Sequence, residues 1–536
     1  MGGGFVMARD LLLLWKRQFA GSPSLFLDQL PGIRLGRGLK NLLCQRVNLL
    51  LTTVFLVAVC QTRCLAEKNP GSGDLVSETR TYETVSGKTS EYQIGTFYVK
   101  ENRSKPDSRV IGIGFSRFPS RNSKVPPVFF LPGGPGSSFL DSVPPHLHRT
   151  GGPLLAEELL GRCDLVFVDQ RGFSKRGSFL DDKAFSPGKV RPDSNLRDRV
   201  GEFIRFSREV VGRYGSTQVD LSGYSILECI EDVHELRQAL GYGKITLRGQ
   251  SFGSQWSFGI IRKHPRTVER ALLTGIEPLG NGFDMPSHVF NAVRRIWKSI
   301  DRDPRFKPYL PPGGMEEAAE SVIKRLESDP VEVLAKGRGQ PVRIIGPDDF
   351  PWWDPASILE LHHGRFEGWA TPRTLRVVPR TLLQPLVDSS LGATQLRRDK
   401  LWNDPAVRYL SRSNFAPLMA TADIWPSPDV GDAFRTPVRC DVPVVFVNGD
   451  WDTKTPIENM FEIAPYFPNS RQVVVHRAGH GTMKISTREQ HPVFIKRLAG
   501  FLETGESRGL PDSLTVRPYR TFRVPDFEVE SKSTGP

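Results

Sequence analysis

The chain has no run of Lys and Arg interleaved with aromatics, no zinc-ligand spacing and no internal repeat. No apolar stretch reaches the ~18 residues that a bilayer span needs. Cysteine is scarce. Of six in 536 residues, Cys44, Cys60 and Cys64 lie in the N-terminal segment, and Cys163, Cys229 and Cys440 are scattered singly. These absences argue against a nucleic-acid partner, a zinc module and a disulfide framework. The net charge of +13 does not restore the first of these. Residues 1–66 hold eight Lys and Arg against Asp10 and Asp28, so six of the positive charges sit there and seven belong to the remaining chain. That remainder reads as a solvated basic surface. An apolar content of 38% with 24% charged residues is that of a globular protein, and 50 Gly with 43 Pro point to many loops.

What is present begins with a targeting segment. Leu49 to Cys60 is a dozen mostly apolar residues behind Arg46, and Cys64-Leu65-Ala66 follows with small residues where a signal peptidase reads. This predicts a signal peptide cleaved after Ala66, or an uncleaved N-terminal anchor, and export to the periplasm or the medium. Residues 67–90 are polar and read as a lead-in.

From Tyr92 the pattern turns to strands: Tyr92–Val99, Val110–Phe115, Val128–Leu131 and Leu165–Val168. The last two are apolar at every position, as in central strands buried on both faces. Apolar residues at helical spacing over Ile226–Leu240 lead to a buried strand, Lys244–Leu247, and a second helix opens near Gln255. A further strand, Arg270–Thr274, follows. Strand, helix, strand, turn, helix is the order of a parallel α/β sheet. The alternation breaks down between about 280 and 435, where helical patches at Met315–Leu326 and Ala356–His362 stand between Trp- and Pro-rich loops, and resumes with Val442–Val447, Arg471–Val475 and a helix over Pro492–Leu502. The expected divisions are therefore 1–66 targeting, 67–280 first part of the core, 281–435 a mainly helical insertion, 436–505 second part of the core, and 506–536 a charged tail with one short strand.

Gly249-Gln250-Ser251-Phe252-Gly253 sits where a strand turns sharply into a helix. A serine at the apex of such a turn is strained and exposes its Oγ, and flanking glycines allow strand and helix to approach. A hydroxyl becomes a nucleophile only when a base takes its proton and an acid orients that base. Both follow in the order Ser, Asp, His, each just past an apolar strand: Asp450 and Asp452 after Val447, and His480 in Ala478-Gly479-His480-Gly481 after Val475. His476 lies at the edge of its strand. The oxyanion of an acyl-transfer intermediate also needs donors. These are expected from the backbone N–H of Phe252 and from the glycine loop at Gly133 and Gly134.

Pro132-Gly133-Gly134-Pro135-Gly136, Asp169-Gln170-Arg171-Gly172, the Gly249–Gly253 turn, Gly449 with Asp452 and Thr455-Pro456, and Gly479-His480-Gly481 together resemble the prolyl aminopeptidase (proline iminopeptidase) family of α/β-hydrolases, in its exported, tripeptidyl-aminopeptidase-like branch. The resemblance covers about residues 92–505. It implies an α/β-hydrolase fold with a mostly parallel central sheet and an inserted, mainly helical cap. It also implies Ser251, Asp452 and His480 as the triad, Phe252 and Gly134 as oxyanion donors, and neither cofactor nor metal. Two positions depart from the family pattern: Pro132 stands where His is usual, and Gly172-Phe173-Ser174-Lys175-Arg176 replaces Gly-x-Gly-x-Ser. In that family, acids in or near the cap bind the substrate's free α-amine. Glu277 is the first candidate, with Glu316, Glu317, Asp348, Asp349 and Asp354 as others. The expected activity is that of a serine hydrolase releasing an N-terminal residue, proline among the candidates, or a short peptide. A carboxylic ester hydrolase is the alternative, because one triad serves both reactions. A non-catalytic binding protein on the same fold is the alternative from another class.

Overall fold

The protein is described by a computed structural model covering residues 70–83, 89–120, 124–140, 154–180, 195–334, 342–366, 379, 381–483, 485–518 and 521–529. The expected targeting segment lies outside the described residues. The described residues from Gly71 onward belong to one compact unit.

A ten-stranded sheet organises the unit. Its strands in chain order are β1 (Leu75–Glu83), β2 (Thr89–Lys100), β3 (Val110–Phe118), β4 (Val128–Leu131), β5 (Leu165–Val168), β6 (Ile245–Gln250), β7 (Val268–Thr274), β10 (Val444–Gly449), β11 (Ser470–His476) and β12 (Ser513–Thr515), while β8 (Val331–Leu334) and β9 (Val342–Ile345) form a separate antiparallel pair. The spatial order is β1-β2-β3-β5-β4-β6-β7-β10-β11-β12, with β1 to β3 antiparallel and every pairing from β5 to β12 parallel. This is the expected mostly parallel sheet. Its central strands are short and fully buried, β4 and β5 at all four positions and β10 at all six, because helices cover both faces.

Alternate residues of each strand feed two apolar layers. Phe129, Leu131, Leu247, Leu273 and Phe446 pack with the helices Ile226–Ala239, Phe252–Lys263 and Ile457–Ile463 on one face. Phe130, Phe167, Leu272, Val445 and Val447 pack with Leu154–Leu159 and Pro492–Thr504 on the other. Cys163, Cys229 and Cys440 are free thiols, the first two buried in these layers.

Two expectations are corrected. The lead-in over 67–90 contains β1, paired in register with β2 from Leu75↔Phe97 to Glu83↔Thr89. Seven of its nine residues are exposed, so an edge strand wet on both faces left no apolar alternation to read. The insertion is also less uniform than expected. Its helices Pro286–Ile300, Gly314–Ser328 and Pro355–His362 share an apolar cluster of their own with Val331 and Val333 of β8. The helix Leu383–Leu391 instead buries Leu383, Leu386, Val387 and Leu391 in the layer that covers the sheet.

Candidate active site

Ser251 stands between β6 and the helix Phe252–Lys263 with φ 56° and ψ −129°, a region costly for any residue with a side chain. The surroundings fix it. Its N–H donates to Thr274 O at 2.9 Å, and its carbonyl accepts from Ser254 N–H at 2.6 Å. A Cβ at Gly249 would stand 2.2 Å from Gly253 O, and one at Gly253 would stand 2.2 Å from Leu131 O. Only glycine permits both approaches.

The turn after β10 buries Asp452 completely. Its Oδ1 accepts from the N–H groups of Lys454 (2.8 Å) and Thr455 (3.0 Å), and its Oδ2 from Thr455 Oγ1 (2.8 Å). His480 Nδ1 lies 3.0 Å from Oδ2 and 3.2 Å from Oδ1. A carboxylate at Nδ1 makes that nitrogen the donor and leaves Nε2 as the acceptor. A Cβ at Gly275 would lie 3.0 Å from Thr455 Oγ1, 3.3 Å from His480 Cε1 and 3.4 Å from Ser251 N, so acid, base and serine loops converge on one glycine. Among the described hydrogen bonds none joins Ser251 Oγ to His480, as is common before substrate tightens such a pair. Burial alone would depress the His480 pKa. The Asp452 carboxylate, its hydrogen bond and Asp284 outweigh burial and hold it above the usual 6.5.

Asp450, two residues before Asp452, faces a different imidazole, with Oδ2 2.9 Å from His476 Nδ1. Spacing alone could not separate the two acids; the pairing with His480 does.

The glycine loop after β4 reaches the serine. A Cβ at Gly133 would stand 3.3 Å from Ser251 Cβ and 3.8 Å from its Oγ, while Gly134, at φ 120°, turns the chain towards Gly136. Phe252 begins the helix on the serine's other side, where unpaired N–H groups and the helix dipole favour negative charge. The fully buried Gln170 spans this loop with its side-chain amide, a role for the Asp169–Gly172 motif that the sequence alone did not reveal.

Glu277, in the loop after β7, is joined by two acids that sequence reasoning missed. Burial first, then the charges of Asp284, Asp388 and Asp452, push Glu277 well above the usual carboxylate range. Asp284 is pushed up to about 7 by burial and Asp452, against the opposing charges of Arg397, Lys454 and His480. Burial and Asp284 push Asp388 up to about 7, against a hydrogen bond from Gln384. The only signal for Asp388 was a carboxylate inside an apolar helix, Leu383-Gln384-Pro385-Leu386-Val387-Asp388. The other candidate acids are engaged elsewhere: Glu316 with Arg294, Glu317 with the Gly313 N–H, Asp348 with Ser411, Asp349 with Arg199, and Asp354 with Ser357 and Arg523. A groove of about 760 Å³ is lined by Pro278, Gly280 and Asn281, next along the chain from Glu277, and also by His288, Arg397 and Glu462. Among the described residues no group of three or more His, Cys, Asp or Glu is placed to hold a metal ion.

Comparison with known proteins agrees with this architecture. Residues 126–304 match the family model described as alpha/beta hydrolase fold, and residues 408–510 one described as TAP-like protein. The serine protease Hip1 of Mycobacterium tuberculosis (strain ATCC 25618 / H37Rv), and that of Mycobacterium bovis (strain ATCC BAA-935 / AF2122/97), is 25% identical over 198 residues, 34% of this chain and 35% of the relative. The chain thus matches about a third of the length of these curated relatives. Among solved structures, a thermophilic esterase from Thermogutta terrifontis is 17% identical with a TM-score of 0.31, covering 76% of this chain and 99% of its own. The esterase EaEST from Exiguobacterium antarcticum is 12% identical with a TM-score of 0.34, at 76% and 99% coverage. The chain has the α/β-hydrolase fold, entered through residues 126–304 and continued by a TAP-like portion over 408–510.

Proposed function

We propose that the protein is a serine hydrolase acting as an aminopeptidase on peptides with a free N-terminus. The observation that carries this reading is the carboxylate trio Glu277, Asp284 and Asp388, whose charges act on one another, with the charge of Asp452 bearing on Glu277 and Asp284 as well. Asp284 Oδ1 is buried with no hydrogen-bond partner among the described residues. Carboxylates crowded and buried in this way favour a cation among them. The α-ammonium of a peptide is such a cation, and an uncharged ester offers none. The Glu277 N–H donates at 3.0 Å to Ser254 Oγ, which lies 2.7 Å from Ser251 O. An amine anchored so close to the serine suits release of one residue or a short peptide rather than cleavage deep within a chain. The serine-protease name of the Hip1 relatives points the same way.

In this mechanism Ser251 Oγ attacks the scissile carbonyl while His480 Nε2 takes its proton. Asp452 holds the imidazole and stabilises the imidazolium. The amides of Phe252 and Gly134 receive the oxyanion, His480 returns the proton to the leaving amine, and water then hydrolyses the acyl-enzyme.

The test sets aminoacyl and short peptidyl p-nitroanilides, with free and with acetylated N-termini, beside short-chain p-nitrophenyl esters. Free amines should be cleaved well and acetylated ones poorly. Equal turnover of the two, with faster ester hydrolysis, would replace this reading with that of an ester hydrolase. We also propose export, on the apolar run Leu49–Cys60 and the small residues before Glu67. Protein confined to the cytoplasm would sink it, whereas exported protein that keeps Met1 would mark the uncleaved anchor.

A further inference from the structure

The structure carries a second Asp–His pair beside that of Asp452 and His480, and we propose that its carboxylate, Asp450, is the positioning residue for the catalytic histidine loop. This rests on the Ser251–His480–Asp452 reading above.

His480 lies four residues beyond the end of β11, and the chain must reverse between them. The reversal happens at Arg477, whose φ is 66°, a left-handed conformation that costs a non-glycine residue about 1 kcal/mol or more unless its surroundings impose it. Asp450 imposes it from the turn just past the neighbouring strand β10. Its Oδ1 accepts the Arg477 N–H at 2.7 Å, and its Oδ2 lies 2.9 Å from His476 Nδ1, so one carboxylate grips both the residue at the bend and the one before it. Its own N–H donates to Val475 O at 3.2 Å. The next link along is the Trp451 N–H to Ala478 O at 3.0 Å, where a Cβ at Gly449 would stand 2.1 Å from the same oxygen. The Arg477 guanidinium lies over the Trp451 ring, 5.8 Å from its centroid.

The acid turn and the base loop are thus fastened residue by residue before Asp452 meets His480. The Asp450 carboxylate is largely buried at 16% exposure, whereas His476 is 45% exposed, so the aspartate is the fixed member. A contact reaches this point from the insertion as well, since Arg295 Nη1 of the helix Pro286–Ile300 donates to Asp450 O at 3.2 Å. Asp452 sets the tautomer and plane of the imidazole. Asp450 sets where the loop that carries it begins, and a misplacement of about 1 Å at a reacting group can cost on the order of a hundredfold in rate.

The test compares Asp450→Ala, His476→Gln and the double variant Asp450→Ala/Arg477→Gly in the full chain, with rates normalised to the fraction of sites labelled by a fluorophosphonate. Asp450→Ala should lower kcat by about 10- to 100-fold with KM unchanged. His476→Gln should lower it less, because the grip on the Arg477 N–H survives. Glycine at 477 adopts φ 66° without help, so the double variant should recover most of the lost kcat, which a general loss of stability would not allow. An unchanged kcat in Asp450→Ala, or no recovery in the double variant, overturns the proposal. If Asp450→Ala does not fold, the double variant and His476→Gln still decide it. Ser251→Ala run alongside separates the two readings: activity there sinks the proposed function itself, whereas an inactive Ser251→Ala with a fully active Asp450→Ala sinks only this inference.

Discussion

The side-chain amide of Gln170 donates to Gly133 O at 2.7 Å while its own oxygen accepts the Gly136 N–H at 2.6 Å. One buried side chain therefore clamps the glycine loop on both sides of Gly134, the proposed oxyanion donor, and a third contact, Nε2 to Pro132 O at 3.2 Å, fixes where the loop leaves β4. The amide is matched to its site: one end faces carbonyls and the other faces an N–H.

Gln170→Glu keeps the shape and removes the donor, setting a carboxylate against two carbonyl oxygens. The loop should shift, and kcat for amide and ester substrates should both fall by about 10- to 100-fold with little change in KM, since a misplaced oxyanion donor weakens the transition state and not the ground state. Steady-state kinetics on both substrate types checks this. A change confined to KM would show that the clamp serves binding instead.

Gly253→Ala tests the strand-to-helix turn. Its Cβ would press on Leu131 O at 2.2 Å and on Pro132 O at 2.9 Å, both backbone atoms with nowhere to swing. The helix Phe252–Lys263 would have to move off β4, at a cost of about 3 kcal/mol. The urea midpoint should fall accordingly. The same substitution at Gly212, which has open space around it, should leave the midpoint unchanged or slightly raised.

These two sites show which parts were legible beforehand. Val128–Leu131 and Leu165–Val168 could be read because a central strand buried on both faces writes a continuous apolar run. The Ser251 turn and the His480 loop could be placed because each follows such a run. The family resemblance alone favours Asp452 over Asp450, since which carboxylate faces His480 depends on side-chain direction past the strand end and not on spacing. Gln170 was hidden inside a motif whose partner loop lies 34 residues earlier. Asp284 and Asp388 were hidden because the insertion carries no sheet periodicity, and their proximity to Glu277 is a tertiary fact.

The carboxylate trio should be a burden on stability that the substrate relieves. Asp284 and Asp388 titrate near 7 in the fold against the ordinary 3.8. The folded state therefore binds more protons than the unfolded chain between those values, and stability falls as pH rises from about 4 through about 7. Asp388→Asn should gain about 1–2 kcal/mol at pH 8 and nothing near pH 4, while raising KM for free-amine substrates by about tenfold and leaving esters unaffected. Thermal denaturation at the two pH values, paired with kinetics, checks both halves. A variant destabilised at pH 8 would mean that Asp388 is structural.

The Asp452–His480 contact makes a claim about pH dependence with a definite sign. In the proposed mechanism His480 is the general base and must be neutral, and its folded pKa is raised above the usual 6.5 by Asp452 and Asp284 despite burial. Turnover should therefore fail on the acid side at a pH above 6.5 and rise to a plateau on the alkaline side. For stability the same shift runs the other way. The contribution of His480 is fully present below the unfolded value and is lost as pH rises through the folded one, where the imidazolium that Asp452 favours is deprotonated. Asp452→Asn removes the charge but can keep a hydrogen bond, presenting its amide to the ring and favouring the wrong tautomer. It should lower kcat by about 10⁴-fold and move what activity remains to an acid limb at lower pH. Asp284→Asn, farther from the ring, should move that limb in the same direction by less and cost little kcat. A pH–rate profile of the three enzymes decides it, and an acid limb that does not move in Asp452→Asn would show that His480 is not the titrating base.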